Sequence, residues 1–445
     1  MGNQWLAGAS QNCRGSLGLL AVMSDDWILD WIASLDIQTI GNLSQTCRAL
    51  YVFCYCDSIW RNRTLAVFGG SFAFRRSWRT TFKDCCTHSK SNYDVPLYIP
   101  GFYSDLLFTS WRCSSVPLSD LCGLQTDNID RRSGLSFDEF IRCYAEPAKP
   151  VILTDIVTQW PAFHKWSLDY FSQHCGSQSF RAEAVDMTFN DYRCYMEQCC
   201  EESPLYLFDK AFADAPSVLA SDYSVPSFFA QDLFQHLETV SSKRPDYRWL
   251  IIGPARSGST FHVDPNATSA WNAVIKGEKK WLLFPPDICP PGVFASRDGS
   301  EVTSPVSLCE WFLNYYNTDA SVKSKPIECV CREGELIFIP SGYWHCVMNL
   351  SDSIAITQNF ASTENLVQVL DFLQFRPEQV SGLSCEDADG LLYERFCASL
   401  DINDETRLIL ARAQEKRLYN QSTKNKPSLW TSISSNTDES FQFVF

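Results

Sequence analysis

Histidine is scarce, with six residues in a chain of 445, so any histidine on a patterned strand carries weight. Twenty cysteines are present, yet no Cys-x-x-Cys spacing occurs among them. Scattered thiols in a chain of this length suit reduced, mostly buried side chains better than a disulfide scaffold. The Cys-x-Cys pairs Cys54/Cys56 and Cys329/Cys331 come nearest to a structural zinc spacing. Basic charge is also short: 37 Lys and Arg against 52 Asp and Glu leave a formal net charge of -15. That balance argues against the basic face of a general nucleic-acid binder and suits a basic partner. No apolar run approaches the ~20 residues a membrane span needs. The apolar stretch Gly15 to Met23 is short, and no small-residue cleavage site precedes the acidic Asp25-Asp26. Met1-Gly2 opens like a myristoylation signal, but Leu6 stands where Ser or Thr is required. Residues 1–24 therefore read as a flexible leader; the chain as a whole, 45% hydrophobic and 20% charged, reads as globular with more than one core.

Two of the six histidines stand out. In Ser259-Thr260-Phe261-His262-Val263-Asp264-Pro265, residues two apart on a strand place His262 and Asp264 on one side. His345, in Pro340-Ser341-Gly342-Tyr343-Trp344-His345, is expected on a later strand flanked by aromatics. Two imidazoles and one carboxylate leave open positions on an octahedral metal, the pattern suited to non-haem Fe(II) that must also bind a co-substrate and oxygen. Three protein ligands rather than four point to catalysis. The overlapping stretch Gly253 to Thr260 has phosphate-loop spacing, but it lacks the lysine and is followed by strand rather than helix, which sets nucleotide hydrolysis aside.

Periodicity orders the rest. Ile28, Leu29, Ile32 and Leu35, then Ile40, Leu43, Cys47 and Leu50, predict a bundle of three helices over residues 25–65. Residues 66–134 read as a connecting segment whose aromatics, Phe72, Phe74, Trp78, Phe82, Phe102, Tyr103, Phe108 and Trp111, pack between domains. Ser136 and Glu139 have capping-box spacing ahead of Phe140. Val151 to Leu153 predicts a buried strand, and from Arg248 strand signals dominate through Phe360. Helices before and antiparallel strands after give an α+β class with a small barrel or sandwich. Stripes from Leu366 to Leu373 and from Leu391 to Arg412 predict helices that cover the barrel's open end or form a self-association surface. The domain that starts at residue 135 runs to 418, and 419–445 reads as a disordered tail.

Two resemblances follow from these residues. Ile28-Leu29, Leu35, Ile40, Leu43-Ser44, Cys47-Arg48-Ala49-Leu50 and Trp60-Arg61 resemble an F-box, with Trp27-Ile28 in place of the usual Leu-Pro. That resemblance implies docking to the Skp adaptor of a cullin ubiquitin ligase through residues 25–65; the alternative is an ordinary helical cap. Gly253-Pro254, His262-x-Asp264-Pro265, Thr268 to Ala273, Gly277-x-Lys279-x-Trp281, Pro340-x-Gly342-x-Trp344-His345, Asn349-Leu350 and Ile354 to Phe360 resemble the jumonji-C dioxygenases. The branch containing the arginine demethylase and lysyl hydroxylase once described as a phosphatidylserine receptor shares them. This resemblance implies a double-stranded β-helix, a jelly-roll cupin-like fold with flanking helices. It implies His262, Asp264 and His345 as Fe(II) ligands. Tyr206, Ser259, Asn272, Lys279, Thr357 and Asn359 are the implied residues around 2-oxoglutarate, with O2 as the second co-substrate. Lys279 supplies the cation that the far carboxylate of a dicarboxylate requires. The implied activity is a protein oxygenase, a histone or other protein arginine demethylase or a lysyl hydroxylase, located in the nucleus or cytoplasm. The alternative is an adaptor that uses the iron domain only to hold its target. Trp271 and Tyr343 are the aromatics expected to meet a cationic substrate.

Overall fold

A computed structural model describes residues 12–87, 99, 101–121, 126–214, 217–318 and 324–424. Its strands, in chain order, are β1 (Asp130–Arg132), β2 (Val151–Leu153), β3 (Ser179–Ala182), β4 (Val185–Thr188), β5 (Leu207–Asp209), β6 (Arg248–Gly253), β7 (Gly258–His262), β8 (Ser269–Lys276), β9 (Glu278–Phe284), β10 (Phe294–Ala295), β11 (Val302–Thr303), β12 (Ile327–Arg332), β13 (Leu336–Ile339), β14 (Trp344–Asn349) and β15 (Ser353–Phe360). A nine-stranded sheet has the order β1-β2-β13-β8-β15-β6-β5-β3-β4, and a four-stranded sheet the order β12-β9-β14-β7. One core lies between them. Ile152, Ala270, Val274, Ile337 and Ile339 of the large sheet meet Trp281, Leu283, Cys329, Cys331 and Val347 of the small one. Alternation then fixes the outward residues: Leu282, Phe284, Cys346 and Met348 pack on the other side of the small sheet, against Leu308, Trp311 and Phe312 of the helix Leu308–Asn314. Two facing sheets of mainly antiparallel strands make the jelly-roll expected from the sequence.

By contact, the described residues within 1–226, 247–263 and 270–359 form one compact unit, and those within 227–246, 264–269 and 360–445 a second. In the second, the predicted stripe Leu366, Val369, Leu370 and Leu373 is buried with Leu233, Phe234, Leu237, Phe396 and Leu400 in a core of its own. Arg417 fastens it, with its guanidinium 2.7 Å from Asp371 and 3.1 Å from the Tyr393 hydroxyl.

The structure corrects several boundaries. The helix Asp404–Lys424 passes through residues 419–424, where a tail was expected; 425–445 lie outside the described residues, as do Met1-Gly2 and Leu6. Residues 13–22 of the expected leader form 3₁₀ turns, because Arg14 reaches Asp25 and the carbonyls of Ala21 and Met23. Four helices, Asp25–Ser34, Ile37–Leu43, Arg48–Cys54 and Asp57–Phe68, replace the expected three, the first pair being separated by Asp36, which caps Thr39. The described residues of the connecting segment include the helices Trp78–Thr87, Asp105–Ser115 and Leu118–Leu121 and the edge strand β1. Arg131 anchors that strand through Asp127 and Glu335. Of its aromatics, Phe74 and Trp78 pack on Tyr195 of the helix Phe189–Gln198, with centroids 5.0 and 5.8 Å away, while Trp111 is 60% exposed. The described cysteines are free thiols, and the one group of three metal-ligating side chains among the described residues is His262, Asp264 and His345. No described helix is long and apolar enough to cross a membrane.

Gly70, just past the helix Asp57–Phe68, lies directly against β4. A Cβ there would stand 2.0 Å from the Asp186 carbonyl oxygen. Gly70→Ala is therefore expected to destabilise the fold by roughly 1–3 kcal/mol, as overpacking does. Urea unfolding reads this; an unchanged midpoint would show that the two segments separate freely.

Candidate active site

The ligand face begins with a register defect. β14 pairs antiparallel with β7, His345 opposite His262 and Val347 opposite Ser259, with an irregularity between them. Two steps on β14 thus match three on β7, the geometry of a bulge. Without it, Ser259 and His262 would face opposite sides; with it, both share the side of Val347, which points into the inter-sheet core. The strand ends at His262, and Asp264 follows as the residue before a 3₁₀ turn at Pro265–Ala267, with φ -57° and ψ 140°. The carboxylate therefore reaches the site from a short extended link, not from within the strand as expected. One ligand atom from each of His262, Asp264 and His345 lies within 4.8 Å of the others.

Both imidazoles are oriented by backbone. His262 Nδ1 is 2.7 Å from the Thr260 carbonyl oxygen, and His345 Nδ1 is 3.0 Å from that of Tyr343. Carbonyls only accept, so each Nδ1 carries the proton and each Nε2 keeps its lone pair for a metal. The rings lie 4.2 Å apart, and Trp281 stacks on His345 at 5.9 Å and 27°. Two imidazoles and a carboxylate, with ligand atoms this close together, fit a divalent iron.

A second cluster bridges the sheets. Lys279, on β9, is fully buried and donates to the Tyr206 hydroxyl and to Asn349 Oδ1, both at 2.8 Å. Burial lowers its pKa to about 7 and pushes the Tyr206 phenol well up. Asn349, opposite Lys279 in the β14–β9 ladder, turns its amide to Ser257 Oγ at 2.9 Å. Among the described residues Lys279 has no carboxylate partner, so a buried ammonium there awaits an anion. Asn272 lies on the inner face of β8 between Ala270 and Val274, and its buried Oδ1 has no hydrogen-bond partner among the described residues. Thr357, opposite Trp249, donates its hydroxyl to the Trp271 carbonyl at 2.9 Å. Asn359, two residues along the same face, is buried, its backbone amide 2.6 Å from the Tyr247 carbonyl. The buried ammonium, the N–H groups of the Asn272 amide and the Thr357 hydroxyl, once turned from the Trp271 carbonyl, would supply the donors that a dicarboxylate co-substrate needs.

One expectation fails. Trp271 alternates outward, is fully buried and packs edge-on against Trp160, so it cannot meet a substrate; Tyr343 is half-buried at the end of the barrel that carries His345. Asn349 and Ser257 were missed as site residues. Asn349 stands within the Asn349-Leu350 motif, but nothing local marks its bond to a lysine 70 positions earlier.

The cupin-like domain family matches residues 137–365. Arginine-specific demethylase JMJ22 of Arabidopsis thaliana is 42% identical over 460 residues, covering 100% of this chain and 88% of that protein. Bifunctional arginine demethylase and lysyl-hydroxylase psr-1 of Caenorhabditis elegans is 39% identical over 254 residues, 54% of this chain and 63% of that protein. The 2-oxoglutarate and iron-dependent oxygenase JMJD4 of Homo sapiens is 28% identical over 330 residues, 64% of this chain and 77% of that protein. The chain belongs to the cupin-like jumonji-C family of iron- and 2-oxoglutarate-dependent oxygenases.

Proposed function

We propose that this oxygenase acts on protein side chains, removing N-methyl groups from arginine, with hydroxylation of a lysine methylene as the second outcome of the same chemistry. The observation that carries the oxygenase reading is the triad and the Lys279 cluster facing the same inter-sheet space. The names of the relatives support the substrate class, and the net charge of -15 suits a basic protein partner such as a histone tail.

His262, Asp264 and His345 would hold Fe(II), and Lys279 with Asn272 and Thr357 would hold 2-oxoglutarate. When bound, these supply the oxidation: 2-oxoglutarate and O2 become succinate and carbon dioxide, and the second oxygen atom enters a substrate C–H bond. The chain keeps the Nε2 lone pairs aimed at one point through Thr260 and Tyr343 carbonyls. The inter-sheet core beside these residues, with Trp281, Val347 and Ile339 each at most 6% exposed, would keep water from a bound co-substrate. A hydroxylated N-methyl carbon is a hemiaminal that loses formaldehyde, whereas a hydroxylated methylene is stable.

Mass spectrometry of methyl-arginine and lysine peptides after incubation with the full chain, Fe(II), ascorbate and 2-oxoglutarate distinguishes the two. Loss of one methyl with formaldehyde supports demethylation, and gain of one oxygen supports hydroxylation. Turnover confined to free amino acids would contradict both.

The adaptor reading is kept for one reason. Trp27 and Ile37 stand 44% and 47% exposed on the first two N-terminal helices, apolar side chains that a partner such as the Skp adaptor would cover. Ile37→Glu is then expected to abolish Skp capture without unfolding the chain; capture equal to the parent's would overturn the adaptor reading. Microscopy of the chain fused to a fluorescent protein reports nuclear or cytoplasmic location.

A further inference from the structure

Arg256 sits in the turn between β6 and β7 with a backbone φ of +76°, a left-handed conformation that a side chain with a Cβ adopts at a cost. The residue is held there from both ends. Its backbone N–H donates to the Asn349 carbonyl at 2.8 Å, and Asn349 N–H returns a bond to the Ser257 carbonyl at 2.8 Å. Its guanidinium reaches the other way, to the end of the helix Asp105–Ser115. Nη1 donates to the Cys113 carbonyl at 2.9 Å and lies 3.7 Å from Cys309 Sγ, and Nη2 donates to the Val116 carbonyl. A fork of donors on the last carbonyls of a helix satisfies groups that the helix cannot, and its charge opposes the helix dipole there.

The same turn carries Ser257, whose Oγ accepts from Asn349 Nδ2 while Asn349 Oδ1 accepts from Lys279. We propose that Arg256 is a positioning residue: it clasps the end of the 105–115 helix to the β6–β7 turn and thereby fixes Asn349, and through it Lys279, for the far carboxylate of 2-oxoglutarate. The inference rests on the reading of Lys279 as the co-substrate's cation. It concerns the attitude of that cation and not the metal triad, which is reached from the opposite end of β7.

The test uses the full chain with Mn(II) in place of iron and measures 2-oxoglutarate affinity by quenching of tryptophan fluorescence. Arg256→Met removes the fork and keeps the stem. It is expected to weaken 2-oxoglutarate by about tenfold, the scale of a lost charge-assisted bond. Affinity for Mn(II) alone is expected to stay within about twofold, since no ligand is touched. Arg256→Lys keeps the charge but cannot span two carbonyls, and should fall between parent and Met. If the Met variant does not fold, the Lys variant alone is read for the same split. Equal 2-oxoglutarate affinity in a folded variant of lowered melting temperature would overturn the clasp, leaving a merely structural arginine. A parent that binds Mn(II) but no 2-oxoglutarate would overturn the reading of Lys279 instead.

Discussion

His345→Ala is expected to abolish iron-dependent turnover. Changing the hydrogen-bond partner of a metal ligand already costs roughly 10–100-fold, so losing a ligand outright should cost more than about a thousandfold. The fold should persist: the imidazole is 4% exposed and stacked on Trp281, and its truncation falls in the usual range of about 0.5–3 kcal/mol. Iron binding read by isothermal titration, alongside the far-ultraviolet spectrum, separates the two effects. A folded variant that still turns over would mean that the triad does not hold the reactive metal.

Lys279→Met is expected to weaken 2-oxoglutarate by about 2–5 kcal/mol, roughly 30-fold or more, because the far carboxylate would be buried without its cation. The pH dependence carries a sign. Burial lowers the lysine's pKa from 10.5 to about 7. Between those values the unfolded chain holds a proton that the ligand-free folded chain releases, so this group's contribution to stability rises with pH across that window. Co-substrate binding runs the other way. An ammonium is required opposite the carboxylate, so binding takes up a proton above about pH 7 and affinity falls as pH rises from there. In Lys279→Met this dependence should vanish, and affinities measured from pH 6 to 9, a span of about three units, show it. A parent affinity flat across the window would contradict Lys279 as the anion's partner.

How much of this was legible in sequence depends on how local each feature is. His262 and Asp264 are two residues apart, and the extended link between strand and 3₁₀ turn keeps them together even though the strand stops at His262. The strands that carry Asn272, Lys279, His345 and Thr357 are apolar runs bounded by turns, and each appears close to where the pattern placed it. The bulge opposite His345 left no local mark, because it arises from pairing between strands more than eighty residues apart. Asn349 escaped for the same reason. Its amide is explained only by Lys279 and Ser257, which the two sheets bring to it. Across 66–121 the dense aromatics hid the helical period, and the short β1 was hidden because its support, Glu335, lies two hundred residues away. Trp271 shows the opposite failure. An aromatic in a recognisable motif looked available to substrate, and alternation along β8 turns it outward into the Trp160 packing.

The central claim is that the triad and the Lys279 cluster form one oxidising site directed at protein side chains. Succinate formed from 2-oxoglutarate by the full chain, with and without Fe(II) and with and without a methyl-arginine peptide, tests it most directly. Iron-dependent succinate is expected to rise with peptide, match oxidised peptide in amount and disappear in His345→Ala. Succinate absent over a broad arginine and lysine peptide panel, or formed equally without iron, would contradict it.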